Sequence, residues 1–174
     1  MLINAVSRWV KRAVRPYALP ALTRFADLFR EGRKRPFQPV DVSRGDIAFL
    51  QYTGGTTGVA KGAVLLHRNV AANVAQAIAW VRPLVAGKHV MVTALPLYHI
   101  FGLTSCCLLV TRIGGCCLMI ANPRDIAGFV KTLRKSRFTM FSGVNTLYAA
   151  LADNKDFASV DFSHLVFCIS GGMD

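Results

Sequence analysis

From Tyr52 to Gly62 the chain reads Tyr-Thr-Gly-Gly-Thr-Thr-Gly-Val-Ala-Lys-Gly, which places four glycines, three threonines and one lysine in eleven residues. This mixture suits a polyphosphate. Gly54, Gly55, Gly58 and Gly62 allow turns and a close backbone approach that a side chain would block. Successive amide N–H groups in such a turn form a concave anion nest. The hydroxyls of Thr53, Thr56 and Thr57 can donate to phosphate oxygens or face a metal ion. Lys61 adds a point charge. The run Asp46–Gln51 reads as a buried strand feeding the loop. The pattern is not Gly-x-x-x-x-Gly-Lys-Ser/Thr: counted from Gly55, Ala60 and Gly62 stand where that loop needs glycine and a hydroxyl. A tight glycine turn without a ligand is the alternative, and the preceding strand favours the phosphate reading.

Four more segments carry unusual residue types in order. They are Pro96-Leu97-Tyr98-His99-Ile100-Phe101-Gly102-Leu103, Ala121-Asn122-Pro123-Arg124-Asp125, Ser142-Gly143-Val144-Asn145-Thr146 and Ser170-Gly171-Gly172. With these, the loop resembles the phosphate signature of the acyl-adenylate-forming (AMP-binding) superfamily, Thr-Ser-Gly-Thr-Thr-Gly-x-Pro-Lys-Gly. Thr53, Gly55, Thr56, Thr57, Gly58, Lys61 and Gly62 match it, while Gly54 and Ala60 replace serine and proline. The longer text from Phe49 through Gly62 to His67-Arg68-Asn69 is similar to bacterial long-chain fatty-acid–CoA ligases.

The resemblance implies a function. A fatty acid and ATP would give acyl-AMP and pyrophosphate, and CoA would then take the acyl group. Thr53, Gly54, Gly55, Thr56, Thr57, Gly58, Lys61 and Gly62 would hold the ATP phosphates. Gly171 and Gly172 would lie on the adenine side, and His99, Phe101 and Gly102 beside the acyl group. A histidine that caps a helix or sits satisfied in the core is the alternative for His99. The implied cofactor and cosubstrates are Mg2+, ATP and CoA. The chain is expected to stop before the family's Tyr-Gly-x-Thr-Glu motif. The magnesium-binding glutamate and the adenylation lysine of the lid are therefore expected elsewhere, so no catalytic residue and no metal ligand is assigned. Lys61 is a loop lysine and does not replace the lid lysine. The segment alone is expected to be inactive. The alternatives are another acid–CoA ligase with a shorter or aromatic acyl group, or a nucleotide- or membrane-binding product without turnover.

The elements that must position these residues alternate. Residues 3–15 and 21–31 read as helices, and 33–45 as a linker with Pro36 and Pro39. Strands are expected at 46–52, 63–66, 89–95, 116–120, 138–141 and 165–170. Helices are expected from Asn69 to Pro83, from about Tyr98, from Asp125 (Ile126, Phe129, Val130 and Leu133 inward) and over 145–152. Alternation of this kind predicts an α/β fold with a mostly parallel sheet and flanking helices. The division is a basic helical segment and linker over 1–45 and a partial AMP-binding domain over 46–174.

Composition narrows the class. Hydrophobic residues make up 53% and mean hydropathy is +0.39, values that point either to a membrane protein or to an interior piece of a larger fold. The longest apolar stretch, 100–121, is long enough for a membrane span. Arg112 and Gly114-Gly115 interrupt it, so a buried helix, a turn and a strand are expected instead. No signal peptide is expected. The five cysteines have no metal-ligand spacing and are expected to be reduced core residues. Net charge is +12, and residues 1–35 hold nine Lys/Arg against Asp27 and Glu31. Leu2, Val6, Val10 and Val14 recur every fourth residue, so this segment can form an amphipathic helix. Peripheral contact with anionic lipid and a solvated helix face are both open readings. A cytoplasmic protein, in contact with the inner face of the membrane or free of it, is expected. No nucleic-acid recognition module accompanies the charge.

Overall fold

A computed structural model of the chain describes residues 6–13, 21–53, 60–81 and 88–172. The chain separates into two units, Met1–Asp41 and Val42–Asp174.

In the first unit the helix expected over 3–15 is reduced, among the described residues, to one π turn, Val6–Val10. Arg12 has a φ of 47°, which ends it. An isolated helix of this length is marginal in water, and Arg8, Lys11 and Arg12 repel at i, i+3 and i+4. Leu2 and Val14 lie outside the described residues. The second helix, α1, spans Phe25–Gly32 and starts four residues later than expected. Arg24 occupies its N-cap without a side-chain hydrogen bond, so nothing holds an earlier turn. No residue of α1 is buried.

The second unit opens with strands β1 (Ile47–Thr53) and β2 (Lys61–Leu66), an antiparallel pair. This corrects one expectation. The Asp46–Gln51 run is not buried, since Ile47 and Leu50 are 59% and 58% exposed. It also stands apart from the parallel sheet: among the described residues β1 pairs with β2 and with no strand of that sheet. A two-stranded ribbon leaves its apolar faces bare unless another layer covers them.

Helix α2 (His67–Trp80) follows β2 directly. It begins two residues before Asn69, whose Oδ1 accepts a hydrogen bond from the Leu66 N–H at 3.0 Å. The strands β3 (Val90–Thr93), β4 (Cys116–Met119), β5 (Met140–Gly143) and β6 (Phe167–Ser170) form a four-stranded parallel sheet in the order β4-β3-β5-β6. Between β3 and β4 runs an uninterrupted helical segment: α3 (Ile100–Gly102), a π-helical stretch (Leu103–Leu108) and α4 (Leu109–Arg112). The 100–121 stretch is thus helix, turn and strand. No helix among the described residues is long and apolar enough to cross a membrane. Helices α5 (Ile126–Leu133) and α6 (Asn145–Ala152) complete the later crossovers.

Strand alternation divides the core. Val92 and Phe141 face α5 and α6 with Phe129, Leu133 and Leu151. Their neighbours Met91 and Met140 face the opposite layer with Val81, Cys106 and Val110. Helices therefore cover both faces, as parallel strands require. The cysteines depart from a uniform core: Cys106 is buried, whereas Cys116 and Cys168 are exposed on the two outer strands, and all five are free.

Candidate active site at the carboxyl ends of the strands

Strands β1 and β2 flank the Gly/Thr/Lys segment. Thr53 pairs with Lys61 and Tyr52 with Gly62, so residues 54–60 connect the two strand ends. Gly54, Gly55, Thr56, Thr57 and Gly58 lie outside the described residues, as does the Thr53 side chain. Lys61 is exposed and has no ion pair among the described residues. Gly62 lies against the Tyr52 ring, which would stand 3.3 Å from an added Cβ. Gln51 Nε2 donates to the Tyr98 carbonyl at 3.2 Å and thereby ties the hairpin to the Pro96–Leu103 segment.

His99 caps α3. Its Nδ1 accepts from the Phe101 N–H at 3.2 Å, which leaves Nε2 as the donor of the neutral ring. Both the capping reading and a place beside the acyl group are compatible with this exposed position. Gly102 is buried against Pro96, and an added Cβ would meet the Pro96 carbonyl oxygen at 2.4 Å. Only glycine fits there. Phe101 stands beside the last strand: a Cβ on Gly171 would lie 3.6 Å from its Cζ, and one on Gly172 3.7 Å from its Cδ1. Gly172 has a φ of 79°, a conformation that favours glycine. The structure therefore brings Phe101, Gly102, Gly171 and Gly172 into one neighbourhood.

The Ser142–Thr146 segment supports this neighbourhood from β5. Gly171 N–H donates to the Gly143 carbonyl at 3.3 Å. Ser170 Oγ hydrogen-bonds to Asn145 Oδ1. The Tyr148 hydroxyl lies 3.1 Å from the Phe141 carbonyl and 3.0 Å from that of Ile169, so it stitches β5 to β6. Burial pushes its pKa well up, reinforced by the Cys168 thiol. The ring leaves no room at Gly143, where a Cβ would meet Tyr148 Cζ at 2.9 Å. Burial also raises the Cys106 and Cys117 thiols. Sequence reasoning assigned no role to Gln51, Asn145 or Tyr148. For Asn145 the signal lay in its motif, but the other two act through contacts 47 and 21 residues away.

The order β4-β3-β5-β6 reverses direction at β3 and β5, since β4 follows β3 on one side and β5 lies on the other. Crevices at the carboxyl ends of strands on either side of such a reversal are where open α/β sheets bind ligands. A cleft of about 420 Å³ lies there, lined by residues that include Leu95, Pro96, Val144 and Leu147.

Comparison with known proteins agrees with this geometry. Residues 6–174 match the family described as AMP-binding enzyme. A long-chain-fatty-acid–CoA ligase of Yersinia pestis is 51% identical over 173 residues, 99% of this chain and 31% of the relative. The chain thus spans about a third of that protein's length. The N-terminal domain of FACL13 from Mycobacterium tuberculosis, solved with an inhibitor bound, superposes with a TM-score of 0.70 over 97% of this chain and 43% of that one, at 23% identity. ATP-bound MatB from Rhodopseudomonas palustris gives a TM-score of 0.62 at 28% identity, covering 79% of this chain and 26% of that one. A loop of phosphate-binding composition held on a hairpin, a parallel sheet whose glycine motifs converge at its carboxyl end, and a match across nearly every residue give one conclusion: the chain belongs to the AMP-binding enzyme family.

Proposed function

We propose that this chain is part of an ATP-dependent long-chain fatty-acid–CoA ligase and contributes the phosphate hairpin and one wall of the acyl and adenine sites. The observation that carries the proposal is the 51% identity over 173 residues to a ligase of that description. In the proposed reaction a fatty carboxylate oxygen attacks the α-phosphorus of ATP. The bond to the β-phosphate bridging oxygen breaks, pyrophosphate leaves, and acyl-AMP remains. The CoA thiol then attacks the acyl carbonyl, loses its proton, and AMP departs.

Adenylation needs alignment and charge neutralisation more than covalent help. The loop from Thr53 to Gly62 would hold the β- and γ-phosphates through its amides and hydroxyls. Lys61 would offset charge on the departing pyrophosphate. Phe101, Gly102, Gly171 and Gly172 would flank the acyl carbonyl and adenine, with His99 at the same helix start. A fatty carboxylate is already ionised at neutral pH, so His99 has no proton to remove. Magnesium would neutralise triphosphate charge. The described residues hold no group of three His, Cys, Asp or Glu side chains that fits a cation, so no side chain among them is assigned to it.

Contact with an anionic inner-membrane surface belongs to the same proposal. Phe25, Leu28 and Phe29 are exposed on α1, which carries Arg30, Asp27 and Glu31 and is flanked by Arg24, Arg33, Lys34 and Arg35; an exposed apolar face with basic flanks suits an interfacial position.

The test is palmitate-dependent ATP–pyrophosphate exchange by the natural gene product. Exchange that requires a long-chain acid is the expected result. In the same protein Lys61→Ala should raise the apparent ATP KM or lower kcat by tenfold or more, because hydrogen bonds to charged groups contribute about 1.5–3 kcal/mol. Exchange supported by an aromatic acid and not by palmitate would move the assignment to the other acid–CoA ligases. Unchanged parameters in Lys61→Ala would remove the phosphate role.

A further inference from the structure

We propose that Gln51 is a positioning residue that couples the Gly/Thr/Lys hairpin to the Pro96–Leu103 segment, so that the two halves of the site are aligned through one side-chain amide. Gln51 is half-buried near the end of β1. Its Nε2 donates to the Tyr98 carbonyl at 3.2 Å, 47 residues away, and to the Tyr52 carbonyl at 3.3 Å. Both neighbours are acceptors, so only the amide nitrogen, with its two N–H groups, fits between them. One carbonyl stands at the entry to the Gly/Thr/Lys segment. The other stands one residue before His99, the N-cap of α3.

Among the described residues this is the one hydrogen bond that links the hairpin to the segment between β3 and β4. The other bonds around the hairpin stay at its base. His67 N–H donates to the Asp46 carbonyl, Arg68 N–H to the Arg44 carbonyl, and Leu66 N–H to Asn69 Oδ1. The far side of the link is braced. His99 N–H donates to the Pro96 carbonyl at 3.1 Å, and Gly102 packs against that same carbonyl. A displacement of the end of β1 is therefore passed to Tyr98 and, through this turn, to Phe101 and Gly102. Reacting groups held on two separate segments depend on such a tie, because a small misalignment costs rate even when each group stays bound. That the two ends hold phosphates and an acyl group rests on the proposed ligase reading, whereas the bond between them does not.

The experiment compares the natural gene product with its Gln51→Leu and Gln51→Glu variants, with circular dichroism melts as the control for folding. Leucine removes the donors and fills most of the space. Glutamate keeps the shape but turns a carboxylate oxygen onto two carbonyl oxygens. In palmitate-dependent ATP–pyrophosphate exchange, Gln51→Leu should lower kcat by about threefold to tenfold, the worth of one hydrogen bond. The KM values for ATP and palmitate should stay within about twofold, because only alignment in the transition state is lost. Gln51→Glu should lose more than Gln51→Leu. Hydrogen exchange supplies a readout without turnover. With ATP and no acid, the amides of residues 99–103 should exchange about fivefold more slowly in the wild type. That slowing should vanish in Gln51→Leu while the Gly/Thr/Lys segment stays protected. Wild-type kcat in Gln51→Leu would overturn the proposal. So would wild-type kcat in Gln51→Glu beside an impaired Gln51→Leu, since shape and not donation would then matter. Slowing of residues 99–103 that is absent from the wild type, or equal in Gln51→Leu, would overturn the coupling. Failure of palmitate to support exchange falls on the ligase reading alone, because the hydrogen-exchange comparison needs neither palmitate nor turnover.

Discussion

Gly102→Ala tests how the second motif is held. The glycine is buried at the junction of α3 and the π-helical stretch, and its added Cβ would lie 2.4 Å from the Pro96 carbonyl oxygen and 3.1 Å from the carbonyl carbon. Cβ atoms do not come under 3.0 Å of their neighbours. The obstacle is backbone in a proline residue, which cannot rotate away as a side-chain tip would. Either the helix start moves or β3 loses its continuation through Leu95. Overpacking of this kind costs about 1–3 kcal/mol, and a backbone obstacle puts the cost at the upper end, near 2–3 kcal/mol. For a chain of this size the melting temperature should fall by roughly 4–12 °C. Urea unfolding followed by circular dichroism gives the free energy, and thermal melts give the shift. Gly114→Ala is the control. It has nothing within 4 Å of an added Cβ and carries only the strain of a φ of 71°, about 1–2 kcal/mol. If Gly102→Ala costs less than about 0.5 kcal/mol, or less than Gly114→Ala, the packing argument at Pro96 is wrong.

Two further predictions concern the second unit. Asp125 caps α5 through the Gly128 N–H, so Asp125→Ala should cost about 1 kcal/mol and Asp125→Asn much less; equal losses in urea titrations would refute the cap. Cys106, Cys117 and Tyr148 all hold their protons above the ordinary values of 9.0 and 10.0, chiefly through burial. The unfolded chain therefore releases protons that the folded chain keeps. Stability from these groups is fully present below about pH 8 and is lost as pH rises past 9. The urea midpoint should decline from pH 9 to 10.5, with a shallower decline in Tyr148→Phe. A midpoint that stays constant, or a decline identical in Tyr148→Phe, would contradict the burial argument.

Much of the fold was legible because it rests on local periodicity. Ile126, Phe129, Val130 and Leu133 recur at helical spacing and face the core beside Asp125 as expected. The 145–152 helix was legible to the residue. Parallel strands between helices follow from the same alternation. What failed was burial in the hairpin and continuity of the first helix. An apolar run such as Ile47–Leu50 records a preference for a covering layer, not whether this segment supplies one. Residues 6–13 carry a helical pattern too short and too cationic to sustain itself.

The phosphate reading of the 52–62 segment rests on composition, since glycine, threonine and lysine in that order restrict what the backbone can approach, whereas the acyl-side reading of the second motif rests on the family resemblance. Sequence also determined the family, because five ordered segments are a local and linear property. Only the tertiary structure decided which of them meet. Phe101 reaches Gly171 across seventy residues because β6 is two strands from β3. Gln51 finds Tyr98, and Tyr148 joins β5 to β6, through contacts with no sequence period. The cleft at the strand-order reversal exists because β4 and β5 lie on opposite sides of β3. Strand order is set by the packing of helices on both faces, a nonlocal free energy that no single stretch of residues encodes.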